Sequence, residues 1–174
     1  MTLRRERVIT YKYSYRALTG VGVDVARRTR GHTAAKKLDV RQSGINGQGC
    51  FALTHLPARK KIALFAGEIV LGRRRVEARL RRQDTFKVIW LDDHSAIDGA
   101  SGGDETAYIN HSCEPNAFMR VVPGRKVAFF AMRDIAPGEE VTIDYRDPNH
   151  PVTCRCGASR CRSGKASATS HSKK

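Results

Sequence analysis

Three of the five cysteines in this 174-residue chain, Cys154, Cys156 and Cys161, fall within eight residues, and that crowding constrains the fold more than any other feature. A Cys-x-Cys-x4-Cys run is too tight for ordinary disulfides among its own members, because the small loops would strain the bridge geometry. No apolar signal-peptide core follows Met1. Clustered cysteines without a secretory signal read as metal ligands before disulfides. Three thiolates need a fourth ligand to close a tetrahedral zinc site. It must come from elsewhere in the chain, where Cys50 and Cys113 are the other cysteines.

The length allows one compact domain with a real core and is short for two. No run of eighteen apolar residues offers a membrane span, so no membrane partner is expected. The net charge of +15 is unevenly spread. Residues 1–38 hold ten Lys/Arg against Glu6 and Asp24, residues 39–164 hold nineteen against fifteen acids, and Lys165, Lys173 and Lys174 close the chain. Basic ends suit weak, salt-sensitive contact with nucleic acid or another polyanion, or serve as solvated tails that keep a small domain soluble. A basic, acid-poor N-terminus also occurs in organelle transit peptides, although this one is not Ser-rich.

Residues 1–38 read as a loosely ordered basic arm with one short strand over 21–26, and residues 165–174 as a disordered tail with almost nothing to bury. Between them, strand-like runs occupy 49–53, 61–65, 68–71, 86–91, 120–122, 127–131 and 141–144, separated by turn signals such as Pro57, Pro123-Gly124 and Pro137-Gly138. The spacing of Val76 and Leu80 predicts a helix over 73–83. Two segments echo each other, from Ala52 through Pro57 to Ile62 and from Ala131 through Pro137 to Val141, each reading as strand, proline turn, strand. The sum is a mainly β domain with one or two short helices.

Four motifs follow in order. In Ser43-Gly44-Ile45-Asn46-Gly47-Gln48-Gly49-Cys50-Phe51 the glycines let backbone amides approach a ligand; a plain glycine-rich turn is the simpler alternative, and since no helix follows, a dinucleotide fingerprint is excluded. Tyr108-Ile109-Asn110-His111-Ser112-Cys113-Glu114-Pro115-Asn116 is an unusually polar connection between strands, readable alone as a loop whose asparagines satisfy backbone groups. Gly138-Glu139-Glu140-Val141-Thr142-Ile143-Asp144-Tyr145 launches a strand that ends on a tyrosine. The cysteine run is the fourth.

In this order and spacing, Gly-x-Gly (47–49), Asn-His-Ser-Cys-x-Pro-Asn (110–116), Glu-Glu-Val-Thr-x-Asp-Tyr (139–145) and Cys-x-Cys-Gly-x3-Cys (154–161) resemble the SET-domain protein-lysine methyltransferases with a post-SET zinc segment. The likeness covers about residues 40–163. It implies a β-clip-like SET fold of several short sheets with a pseudoknot near the C-terminus, divided as a SET domain at 39–147 and a post-SET segment at 148–164. It implies methyl transfer from S-adenosylmethionine to the side-chain amine of lysine in a basic protein such as a histone, histone-like or ribosomal protein. By the same likeness Cys113 joins Cys154, Cys156 and Cys161 around Zn2+, and Cys50 is left as a small buried residue. Gly47, Gly49, Asn110 and His111 would bind S-adenosylmethionine, with Phe51 and Arg155 nearby, and Tyr145 matches the catalytic tyrosine.

Three departures bear on the substrate channel, where Tyr108 is also placed. Ile143 stands where the family carries Phe or Tyr, and without a hydroxyl to hold a crowding water it leans the reading towards di- or trimethylation. Phe65 replaces a Tyr before Ala66-Gly67-Glu68, and Ala107 replaces an Arg. The insert at 72–103, with Trp90, would border a peptide groove to which Asp84, Asp92, Asp93, Asp98, Asp104 and Glu105 lend acidity. The competing readings are a zinc-stapled basic nucleic-acid-binding module and a SET-like protein without turnover. A monomer is expected, either cytoplasmic in a bacterium, delivered as an effector, or nuclear in a eukaryote.

Overall fold

The computed structural model describes residues 36–81, 87–145 and 154–163. The expected strand at 21–26, most of the basic arm and the whole basic tail lie outside the described residues. The elements are β1 (Leu38–Gln42), β2 (Gln48–Ala52), β3 (Lys61–Leu64), β4 (Glu68–Leu71), α1 (Arg73–Leu80), β5 (Val88–Asp92), β6 (Ser95–Asp98), a 3-10 turn (Glu105–Tyr108), β7 (Asn110–His111), β8 (Ala117–Val122), β9 (Lys126–Ala131) and β10 (Thr142–Ile143). The mainly β class with a short helix is as expected.

The strands form four small sheets: β1 with β2, β3-β9-β8, β4-β6-β5, and a parallel pair of β7 and β10. The two echoing segments pair with each other across the molecule. Leu56 and Ile135 exchange backbone hydrogen bonds of 3.0 Å in both directions, and the Ala52 N–H donates to the Glu139 carbonyl at 2.9 Å. This docking carries the start of β10 to the glycine-rich hairpin. There Phe51 and Glu140 form a further antiparallel bridge.

The main core gathers Ile62, Phe65, Ile97, Phe129, Ile135 and Val141 among others from the several sheets. A second, smaller core forms under α1, where Val76 and Leu80 pack on Val70, Val88, Trp90 and Ala96. Burial of such a valine or leucine contributes about 1.5–3 kcal/mol. Arg79 ties the helix down, reaching Glu68 at 2.7 and 2.8 Å and Asp98 at 3.0 Å. Asp98 is 1% exposed, and such a buried carboxylate is tolerated only because it is paired.

Several expectations are corrected here. The helix ends at Leu80, not Gln83, and β5 begins at Val88. Strand β8 starts at Ala117, three residues early, because Ala117 pairs with Ala131 in the sheet. Strand β6 was not anticipated, since Ser95 and Asp98 look like loop residues; both are buried because Arg125 donates to the Ser95 hydroxyl and Arg79 to Asp98. Trp90 turns into the helix core and not towards a groove. Of the acidic residues expected to border the groove, Asp98 is buried, Asp104 caps the 3-10 turn through the Thr106 N–H at 2.9 Å, Glu105 pairs with Lys36 at 2.9 Å, Asp92 and Asp93 are exposed, and Asp84 lies outside the described residues.

Candidate active site and thiol cluster

The site is built on the shortest sheet. Strands β7 and β10 run parallel, pairing Thr142 with Asn110 and Ile143 with His111, residues about thirty positions apart in the chain. Asn116 holds this pair in register. Its Nδ2 donates to the Glu140 carbonyl at 2.8 Å and its Oδ1 accepts from the Thr142 N–H at 2.9 Å.

Asn110 is 8% exposed, and its Nδ2 faces four acceptors: Glu140 Oε1 at 2.8 Å, the Gln48 carbonyl at 3.0 Å, Ser43 Oγ at 3.2 Å and the Asn46 carbonyl at 3.4 Å. An amide nitrogen carries only two hydrogens, so the group is saturated and the β1–β2 hairpin is clamped onto β7. The two glycines of the hairpin have different reasons to be there. Gly47 adopts φ +46° and has open space where a side chain would stand, leaving backbone approachable by a ligand. A side chain at Gly49 would collide with Glu140 Oε1, so that glycine is demanded by the protein's own packing.

Tyr145 lies two residues beyond the end of β10. Its hydroxyl donates to the Ile109 carbonyl at 2.8 Å, and its ring sits 5.4 Å from the imidazole of His111. Burial, and secondarily the charge of Glu140, push the phenol well above its usual range. The group is a neutral phenol at physiological pH, with no phenolate to take a proton. Tyr145 borders a narrow pocket of about 40 Å³, room for two or three waters. Phe65, Ile89, Phe129 and Ile143 form its apolar wall. The buried Thr106 hydroxyl beside it is spent on Asp104. Lys87 also lines the pocket, with its ammonium 3.3 Å from the centroid of the Tyr108 ring.

Next to the tyrosine the chain gathers sulfur. None of the five cysteines is in a disulfide. Cys113, Cys154 and Cys156 place their sulfurs, and His111 a ring nitrogen, within 4.8 Å of one another. Cys161 Sγ stands 3.9 Å from Cys113 Sγ. Ligands about 2.3 Å from a tetrahedral zinc are separated by about 3.8 Å, so the sulfur spacing fits such an ion. The N–H groups of Cys113 and Arg162 point at Cys156 Sγ and Cys113 Sγ, at 3.5 and 3.4 Å, an arrangement that stabilises thiolate charge.

His111 joins both halves of the site. Its Nδ1 accepts the Tyr145 N–H at 3.1 Å, and its Nε2 lies 3.3 Å from Cys113 Sγ. With Nδ1 accepting, the neutral ring carries its proton on Nε2 and donates it to the sulfur. The segment 154–163 is docked further by Glu114, which accepts from the Ser159 N–H at 2.9 Å and from Arg160 Nε at 3.2 Å, and by the Arg162–Asp144 ion pair.

Residues 47–146 match the SET domain family. The chain belongs to the SET domain family. It is 34% identical over 162 residues to human histone-lysine N-methyltransferase 2B, covering 86% of this chain and 6% of that protein. It is 33% identical over 144 residues to trithorax of Drosophila melanogaster, covering 78% of this chain and 4% of that one. An H3 lysine-4 specific enzyme of Schizosaccharomyces pombe is 32% identical over 139 residues, 73% of this chain and 15% of its own length. The chain thus spans a small fraction of these relatives. Among solved structures it is similar to the Chaetomium thermophilum polycomb repressive complex 2, with a TM-score of 0.59 and 26% identity over 67% of this chain and 16% of that one.

Gly47, Gly49, Asn110, His111 and Tyr145 converge within the matched residues, and Cys113 meets Cys154, Cys156 and Cys161 from beyond them. Phe65 and Ile143 line the pocket, and Tyr108 is reached from it through Lys87. Phe51 is half-buried beneath the Arg41 guanidinium, 5.8 Å away, and Arg155 is an exposed residue of the cysteine loop. Neither lines the pocket. Cys50 is fully buried and its thiol is pushed up to about 12, chiefly by burial, which makes it inert. Sequence reasoning assigned no role to Ser43, Glu140 or Lys87. The first two lie inside quoted motifs, but their link to Asn110 spans 67 and 30 positions and has no local signal.

Proposed function

We propose that this chain is an S-adenosylmethionine-dependent protein-lysine N-methyltransferase acting on a basic protein of the histone class. The observation that carries the reading is the Tyr145 phenol, held on the Ile109 carbonyl beside a narrow apolar pocket and coupled through His111 to the thiol cluster. S-adenosylmethionine, when bound, supplies a methyl group already activated by its sulfonium charge. Gly47, Gly49, Asn110 and His111 are proposed to hold it against the open face of the hairpin, with Phe51 and Arg155 as outlying contacts. Phe65, Ile89 and Phe129 strip water from the entering lysine, which must arrive as the neutral amine to present a lone pair. Tyr145, already donating to Ile109, accepts a hydrogen bond from that amine and aims its lone pair; the new N–C bond forms as the C–S bond breaks, and the amine's proton passes to solvent. The catalytic tyrosine thus orients and does not act as base.

The four thiols Cys113, Cys154, Cys156 and Cys161 are proposed as ligands of one Zn2+, with His111 as a hydrogen-bonding partner outside the first shell. The zinc would fix residues 148–164 as a post-SET wall on a SET domain at 39–147. A pocket with Ile143 where the family carries Phe or Tyr, and Phe65 in place of a Tyr, favours di- or trimethylation, because neither side chain has a hydroxyl to hold a water against a methylated amine. The eukaryotic histone enzymes among its relatives favour a chromatin substrate and a nuclear site of action over a cytoplasmic one, and the domain is proposed to work as a monomer.

Purified protein incubated with methyl-labelled S-adenosylmethionine and a panel of histones and other basic proteins tests the proposal. Label on lysine, lost in Tyr145→Phe, is the expected result. No label on any substrate, or transfer undiminished in Tyr145→Phe, overturns it and leaves a zinc-stapled binding module or a SET domain without turnover.

A further inference from the structure

The pocket beside Tyr145 is walled mainly by apolar groups and holds one basic side chain. Lys87, at the entry to β5, lines it and rests its ammonium on the Tyr108 ring, 3.3 Å from the centroid. Its backbone is pinned, for the Lys87 carbonyl accepts the Gly99 N–H at 2.7 Å. The side chain is half-buried, and no carboxylate forms an ion pair with it among the described residues. An aromatic face holds a cation in place without neutralising it. Tyr108 directly precedes Ile109, whose carbonyl anchors the Tyr145 phenol. A lysine with no carboxylate ion-paired to it among the described residues therefore stands on the wall of a channel proposed to admit lysine.

We infer that Lys87 forms a cationic subsite for a carboxylate flanking the target lysine, so that the enzyme selects lysines with Asp or Glu beside them and disfavours those between basic residues. The inference rests on the methyltransferase reading and deepens it by naming a substrate preference. A second cation brought to the channel edge meets like-charge repulsion, whereas a carboxylate can lift the ammonium's charge into an ion pair at a site partly shielded from solvent. The target amine itself enters neutral and is little affected, so the discrimination falls on its neighbours. Lys87 is a specificity-determining residue in this account and takes no part in the bond-making step.

The test uses two peptides that differ only around one lysine, with Glu on both sides or Arg on both sides. Methyl transfer is measured as kcat/KM, and binding is measured separately by fluorescence anisotropy with S-adenosylhomocysteine present, which needs no turnover. The full chain is expected to favour the Glu-flanked peptide about fivefold, chiefly through KM, with the preference shrinking at high salt. Lys87→Met keeps the aliphatic stem over Tyr108 and should bring the ratio close to one; Lys87→Glu should invert it. The same ratio in all three proteins, by turnover and by binding, overturns the inference and leaves Lys87 as packing on Tyr108. Binding that follows the charge at residue 87 while no peptide is methylated would sustain the subsite and overturn the methyltransferase reading.

Discussion

His111 and Tyr145 are joined through the backbone: the Tyr145 N–H donates to His111 Nδ1 at 3.1 Å, while the other ring nitrogen lies 3.3 Å from Cys113 Sγ. One imidazole therefore spans from the tyrosine to the sulfur cluster, and disorder in either reaches the other through a single side chain. His111→Gln should lower methyl transfer about 10- to 100-fold, the usual cost of losing an outer partner of a metal site. Zinc content, read by native mass spectrometry, should stay at one per chain because four thiols remain. Loss of the metal in this variant would make His111 a ligand instead.

Asn110 points one amide group, with two hydrogens, at four acceptors. Asn110→Ala leaves Glu140, Ser43 and the Gln48 carbonyl without that donor in a largely buried place. Stability should fall by about 2–3 kcal/mol in urea titrations. Affinity for S-adenosylhomocysteine, measured by calorimetry, should drop at least tenfold as the hairpin loosens from β7.

Chelation should act locally. The contacts of residues 154–163 run mainly through sulfur and through Glu114 and Asp144, while β3, β8 and β9 form a sheet that owes nothing to metal. A strong chelator, or Cys156→Ser, should therefore expose the segment to limited proteolysis and abolish activity while leaving the far-ultraviolet dichroism of the strands nearly intact.

Glu139 gives the acid side of the stability profile. The Arg133 guanidinium, with help from the Asn116 amide and the Ala136 N–H, lowers its carboxyl from 4.5 to about 2. A depressed folded-state value means stability that is fully present above the unfolded value near 4.5 and is lost as pH falls towards 2. After allowance for solvent screening at the exposed Arg133, the contribution is about 1–2 kcal/mol. Unfolding curves between pH 5 and 2 should be flatter for Glu139→Gln than for the unaltered protein.

Much of the site was legible because its residues sit in short ordered strings. Asn110, His111 and Cys113 lie within four positions, and Cys154, Cys156 and Cys161 within eight; spacing marks the three clustered cysteines, and the likeness of the ordered strings to the SET family marks the rest. The helix was legible from the i,i+4 pair Val76 and Leu80, though its end was not, since 73–83 is uniformly rich in arginine. Strand β6 was hidden because Ser95 and Asp98 are polar, and their burial depends on Arg125 and Arg79 arriving from other elements. Lys87 was hidden for the same reason: a lone lysine reads as solvated until Tyr108 is seen beneath it.

The crowded cysteines that most constrain the chain were, by sequence alone, three ligands in want of a fourth and a claim on metal over disulfide. Residue identity settles that much, because thiol chemistry and loop length are local properties. The likeness to the SET family named Cys113 as the fourth; how it comes to stand beside the others, and what else touches it, was decided only by folding. The paired proline turns bring the Glu139–Tyr145 segment back across the molecule, and the two-residue parallel sheet of β7 and β10 then sets Tyr145 beside His111 and His111 beside Cys113. Contacts across tens of residues depend on sheet register and core packing, and no local pattern encodes them.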